Sequence, residues 1–225
     1  SRRENIPIFM LHRFADPDRG VVGHSPCFLR VALEYLRDQG YFVLSLDQLV
    51  KALDGQMEVP DNAVVFTLDD GFYEQLAIAA PIFREFSCPA TIFLITDFSS
   101  LVSWPWDYQV EHIINCTLQS RVVMGGVAPI DSQIETIREK QNVISYIHDR
   151  LKTMATEQAQ QYTNRLAEKL GVALTTLPPD SYWPITWDQA RSAEDEFIQF
   201  GAHTSSHSIL SSQSCEICSF EVATS

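Results

Sequence analysis

Val64-Val65-Phe66-Thr67-Leu68-Asp69-Asp70-Gly71 runs five mostly apolar residues straight into two adjacent carboxylates and a glycine. A short run rich in β-branched and aromatic side chains reads as a buried strand. The glycine lets the backbone turn where that strand stops. Two acidic residues at such an exit sit on a rigid support and repel each other, which calls for a metal, a basic partner or catalysis. The same stretch also suits a solvated Asp-Asp-Gly turn.

On the N-terminal side, Ile6-Pro7-Ile8-Phe9-Met10-Leu11 reads as a first strand and delivers His12 and Arg13. Phe28, Ala32, Leu33 and Leu36 recur at helical spacing, with Gly40 as the stop. Tyr41–Leu44 reads as a second strand. Ser45 and Gln48 have the spacing of a capping box, opening a helix through Leu53. On the C-terminal side, residues 74–86 read as a helix that Pro81 kinks or breaks, and Ala90–Ile95 as the next buried strand. Strands alternating with helices predict a parallel sheet covered on both faces, or a barrel. Chemistry in such folds sits at the C-terminal strand ends, where His12, Asp69, Asp70 and Asp97 fall.

Residues 99–185 break the rhythm. Trp104-Pro105-Trp106-Asp107 reads as an aromatic loop. Ser132 and Glu135 have capping-box spacing, with Ile134, Ile137, Ile144, Ile147 and Leu151 as one helix face. Ala159, Tyr162, Leu166 and Leu170 mark a second helix ending at Gly171. The pair reads as a helical insertion packed on a single domain covering residues 1–225, without a core of its own. The rhythm resumes with Thr186 and Gln189 capping a short helix, then Phe197–Ala202 as a strand leading to His203-Thr204-Ser205-Ser206-His207.

On a helical turn, His203 and His207 would present both rings on one face, able to share a metal. Two histidines and a carboxylate with an open fourth position form a catalytic zinc set. The chain has 225 residues, 45% of them hydrophobic and 20% charged, enough for one substantial core. A net charge of -13 argues against binding nucleic acid or an anionic membrane surface, and suits a neutral or cationic substrate. No apolar run reaches the length of a membrane span. No signal peptide is visible, since Ser1-Arg2-Arg3-Glu4-Asn5 leads directly into a strand-like run. That start and the five scattered cysteines lean toward the cytoplasm, and a trimmed start would allow secretion or the periplasm. Cys215-x-x-Cys218 has metal or redox spacing but no second pair.

Thr67-Leu68-Asp69-Asp70-Gly71 resembles the T-F-D-D-G motif of the polysaccharide deacetylase family (NodB-type carbohydrate esterases), and His203–His207 resembles its H-[ST]-x-x-H motif. Residues 6–13, 28–49 and 88–93 are similar to the passages around its first strands, with Leu11 in place of the usual Tyr. The resemblance implies an α/β fold, a distorted and C-terminally incomplete (β/α) barrel with residues 99–185 as a mainly helical insertion. It implies Asp70, His203 and His207 as ligands of Zn2+ or another divalent metal, and Asp69 as the general base. The substrate implied is an acetylated amino-sugar glycan that loses its N-acetyl groups. His12 is a candidate substrate contact or a hydrogen-bonded structural histidine, and Trp104 and Trp106 are candidates for stacking on sugar rings, Trp106 as a substrate contact, or for packing under the inserted helices. The family's later Arg-Pro stretch and Leu-x-His acid have no counterpart before Ser225. The resemblance therefore implies a truncated chain, less stable and weakly active or inactive alone. Two alternatives stay open: a carbohydrate-binding or assembly module without the full catalytic set, and O-deacetylation or imide opening on the same metal.

Overall fold

A computed structural model describes residues 5–225; Ser1–Glu4, read above as the approach to the first strand, lie outside the described residues. In chain order the elements are β1 (Ile8–Leu11), α1 (Pro26–Asp38), β2 (Phe42–Leu44), α2 (Leu46–Leu53), β3 (Ala63–Leu68), α3 (Ala80–Glu85), β4 (Ala90–Leu94), α4 (Thr96–Ser99), α5 (Trp106–Cys116), β5 (Arg121–Met124), β6 (Ile130–Gln133), α6 (Ile137–Leu151), α7 (Thr156–Leu170), α8 (Trp187–Ala193), β7 (Ile198–Ala202) and α9 (Cys215–Thr224). The chain divides into two compact units. One is built from the chain up to Ser100 together with Pro178–His203, the other from Leu101–Leu177 and Thr204–Ser225.

The first unit is a mixed α/β structure on a parallel sheet, with the order β1-β3-β4-β7 and β2 paired with the start of β3. The sheet is open, so the barrel is not closed among the described residues. Every residue of β3 is buried, as its unbroken apolar run requires of a strand covered on both faces. Val64, Phe66 and Leu68 join Leu33, Phe83, Ile92, Ile185 and Ile198 in one core. Complete burial of such side chains contributes about 1.5–3 kcal/mol each. Register aligns the strand ends: Leu11 lies beside Leu68, Leu68 beside Ile92, and Leu94 beside Ala202. Ser45–Gln48 and Thr186–Gln189 both close as capping boxes. The helix after β3 opens with a π-helical stretch, Gln75–Ala79, before α3 starts at Ala80 with Pro81 in its first turn. Proline cannot continue the ordinary hydrogen-bond ladder, so the break falls where its ring would meet the preceding turn.

The second unit has its own core, contrary to the sequence expectation. Val110, Ile113, Val122, Ile147, Tyr162 and Leu166 pack together from α5, β5, α6 and α7. The aromatic loop expected at 104–107 ends in a helix, because Trp106 opens α5 behind Pro105. The Ser132–Glu135 box does not form: those residues fall in and after β6, which pairs antiparallel with β5. The capping box is instead Thr136 with Glu139, one turn later, and it starts α6. Ile137, expected on the inner face, is 77% exposed, whereas Ala159, Tyr162, Leu166 and Leu170 of α7 are all buried as their spacing predicts. Among the described residues no helix is long and apolar enough to cross a membrane.

Candidate functional site

In the first unit β3 hands the chain to Asp69 and Asp70, which are 8% and 1% exposed. The Asp69 backbone N–H donates to the Leu11 carbonyl, extending the β1–β3 ladder by one residue. Asp70 takes a left-handed conformation, φ 79°, followed by Gly71 at φ 74°. For a non-glycine residue that conformation costs about 1–2 kcal/mol, and such strain clusters at functional sites. A Cβ at Gly71 would also meet Leu94 Cδ2 at 2.6 Å, so glycine serves both the turn and the close approach to β4.

Gln75, fully buried, donates its side-chain amide to the Asp69 carbonyl and, at 2.7 Å, to the His12 carbonyl. It ties the end of β1 to the turn after β3. One residue earlier, buried Glu74 pairs with Arg13. Burial pushes the Glu74 carboxyl above its ordinary value, and the Arg13 charge partly offsets this. The Arg13 guanidinium lies 3.8 Å from the centre of the Phe72 ring and donates to the Ser181 carbonyl. The sequence places Arg13 beside His12 with no sign of this pairing, because Glu74 is 61 residues away.

β7 delivers His203, whose backbone N–H donates to the Leu94 carbonyl at 2.8 Å. Gly201 gives the Phe93 ring room: a Cβ there would meet Phe93 Cε1 at 2.6 Å. His203 Nε2 comes to 3.4 Å from Asp70 Oδ1. Two ligands at bond lengths of about 2.0–2.1 Å from a tetrahedral zinc lie about 3.4 Å apart. A buried carboxylate and an imidazole nitrogen at this separation fit a divalent metal, both in donor chemistry and in spacing. His12 is half-buried at the neighbouring strand end, and Asp97 falls in the first turn of α4.

His207 belongs to the second unit. The His203–His207 segment is not a helical turn, as its spacing suggested: Thr204 and His207 are both left-handed, at φ 63° and 62°. The His207 ring stacks on Tyr108, 8° from parallel, and its Nδ1 lies 3.5 Å from Asp107 Oδ2. An acceptor at Nδ1 favours a proton there and leaves Nε2 as the available donor atom. Asp107 also accepts from His148 through its carbonyl at 3.0 Å. Burial holds the His148 imidazole below its ordinary pKa, which favours the neutral ring, against a smaller upward pull from Asp107. The sequence puts Asp107 in an aromatic loop with no sign of this contact; in α5 it stands one residue before the aromatic ring that His207 stacks on.

Trp106, 5% exposed, lies in the core of its unit, with one edge on a cleft of about 470 Å³. Trp104 is buried too, donating from its indole nitrogen to the Thr175 carbonyl at 3.1 Å. Cys215 and Cys218 are free thiols at the start of α9. The Glu221 carboxylate of the same helix is buried and accepts hydrogen bonds from Ser205, Ser206 and Ser208. Burial raises the Glu221 carboxyl, but these donors outweigh it and hold the group below its ordinary value.

No protein-family model matches the chain. Over 83 residues, 37% of the chain, it is 35% identical to the poly-beta-1,6-N-acetyl-D-glucosamine N-deacetylases of Escherichia coli K12 and O157:H7, and that stretch is 12% of their length. Solved structures similar to it include a de-N-acetylase from Aggregatibacter actinomycetemcomitans, 16% identical, with a TM-score of 0.47 over 89% of this chain and 55% of that one. The Streptococcus pyogenes deacetylase PplD, in complex with acetate, is 17% identical, with a TM-score of 0.48 over 96% and 63%. IcaB from Ammonifex degensii is 15% identical, with a TM-score of 0.40 over 89% and 92%.

Proposed function

We propose that this chain carries the site of a metal-dependent hydrolase that removes N-acetyl groups from an acetylated amino-sugar glycan. Asp70, His203 and His207, a candidate donor set of one carboxylate and two imidazoles, hold Zn2+ or another divalent metal. The observation that carries this reading is the buried Asp70 carboxylate 3.4 Å from His203 Nε2, with Asp69 beside it at the end of the same strand. The likeness to the E. coli deacetylases supports the substrate class.

When bound, the metal would supply an acidified water and positive charge for the carbonyl oxygen of the acetamide. Asp69, adjacent in sequence to the ligand, is the general base that takes the water's proton. Its main chain is held from both sides, by the Leu11 carbonyl and by the Gln75 amide, so the backbone that carries the carboxylate is fixed. Asp107, at Nδ1 of His207, fixes the tautomer that leaves Nε2 for the metal. His12, half-buried at the neighbouring strand end, is the candidate contact for the sugar. A chain with a net charge of -13 suits a substrate that starts neutral and gains amines as acetate leaves.

The test is metal content together with product analysis. In chelator-free buffer at neutral pH the protein should hold one divalent ion per chain. It should release acetate from N-acetylglucosamine oligomers and leave free amines detectable by mass spectrometry. Absence of metal overturns the proposal. So does binding of oligomers without acetate release, the behaviour of a carbohydrate-binding module. Acetate released only from acetylated xylan makes the enzyme an O-deacetylase instead.

A further inference from the structure

The segment from Thr204 to Ser208 has no helix or strand to hold it, and two of its residues are left-handed without being glycine. Its shape is held from outside by one carboxylate. Glu221 Oε2 accepts the backbone N–H groups of Ser205 and Ser206, each at 2.9 Å. Glu221 Oε1 accepts the hydroxyls of Ser206 at 2.6 Å and Ser208 at 2.9 Å. The two hydroxyls lie 2.9 Å apart, and that of Ser208 is 2.8 Å from the hydroxyl of Thr156, the first residue of α7. Glu221 is 5% exposed and has four donors on its two oxygens. Charge-assisted bonds of this kind are stronger than neutral ones, and a buried carboxylate that lost them would be costly to keep.

We infer that Glu221 is a positioning residue for the metal centre: it fixes the backbone just before His207 and the Ser208 side chain just after it, so that the imidazole is presented to the metal. The inference rests on the metal site proposed above. Ser206 and Ser208 are part of the same device, because their hydroxyls saturate the second carboxylate oxygen. Glu221 itself touches neither substrate nor metal. A carboxylate suits the position because it offers acceptors only, and all four partners are donors. Glutamine keeps one acceptor oxygen for the two N–H groups, and its NH₂ can donate to the serine oxygens, so it should substitute in part.

The experiment measures the affinity of the purified protein for Zn2+ and for Co2+ by competition with a chelator, along with the visible absorption of the Co2+ form and thermal melting without metal. The expected result is a loss of affinity of about 10–100-fold in Glu221→Ala, a smaller loss in Glu221→Gln, and altered Co2+ bands in Glu221→Ala at saturating metal. Ser208→Ala, which removes one hydroxyl, should lose less than Glu221→Ala. If Glu221→Ala fails to fold, Glu221→Gln and Ser208→Ala carry the test. Variants that melt earlier yet bind both metals within twofold of wild type, with unchanged Co2+ bands, overturn the inference and leave Glu221 as a structural cap. Failure of all three variants to fold overturns it likewise. Absence of metal from the wild-type protein removes the proposed function itself and this inference with it, an outcome the wild-type control distinguishes from the others.

Discussion

The Asp69-Asp70-Gly71 turn and the His203–His207 segment both bend through left-handed residues, but they are held by different means. The first is an extension of β3, whose six residues are all buried, and main-chain bonds from β1 and the Gln75 amide lock its start. The second leaves β7 and takes its shape from side chains, chiefly one carboxylate with four donors. A turn on a buried strand is as rigid as the sheet. A segment pinned by a single titratable group is as rigid as that group's charge and hydrogen bonds allow. The first should therefore respond to packing and the second to pH and to single polar substitutions.

The largest effect should come from the residue that joins the sheet to the metal. His203→Ala should take the bound metal from one ion per chain to none, and acetate release to background. Metal analysis on the folded variant checks this, and a variant retaining full occupancy would remove His203 from the ligand set. Asp69→Asn comes next. It should keep the metal and slow acetate release by about 100- to 10,000-fold, the range for a general base, as steady-state assays would read. Equal loss of metal and activity would instead make Asp69 a ligand.

Gly71→Ala separates the two regions more directly. It forces a side chain into left-handed backbone and against Leu94, which should cost about 1–3 kcal/mol in chemical denaturation. An alanine variant as stable as wild type would show that the turn is not held by the sheet.

The smallest effect is the pH response of the second region. The folded-state pKa of Glu221 is depressed, so its stabilisation is present above its ordinary value near 4.5 and is lost as pH falls through the folded value. Melting temperatures of wild type and Glu221→Gln should differ most at pH 6–7 and converge as the pH drops below about 4. A gap that stays constant to pH 3 would mean the charge of Glu221 does not hold the segment.

Much of the first region was legible in the sequence. An all-apolar run ending in Asp-Asp-Gly specifies a buried strand and a sharp exit, since burial and backbone sterics act within a few residues. The capping boxes at Ser45 and Thr186 were legible for the same local reason. The box expected at Ser132 failed because residues 130–133 pair with β5, and sheet pairing overrode a helix-start pattern of equal sequence quality. The second core was not legible either. Its members are drawn from β5, α5, α6 and α7, and no single stretch shows that they meet.

By itself, then, the sequence determined the strand-end placement of Asp69, Asp70 and His203, because strand periodicity and chain direction settle which residues leave the sheet at one edge. Only the tertiary structure decided the neighbours that set their chemistry. Gln75 at the Asp69 carbonyl, Arg13 on Glu74, Asp107 at His207 and Glu221 on the serines are contacts made across folded space. All but the first join residues 13 or more positions apart. Even Gln75 reaches back six positions to Asp69 across the left-handed turn at Asp70 and Gly71. Hydrogen bonds of this kind depend on distances of a few tenths of an ångström, and residue types at fixed spacings do not specify distances that fine.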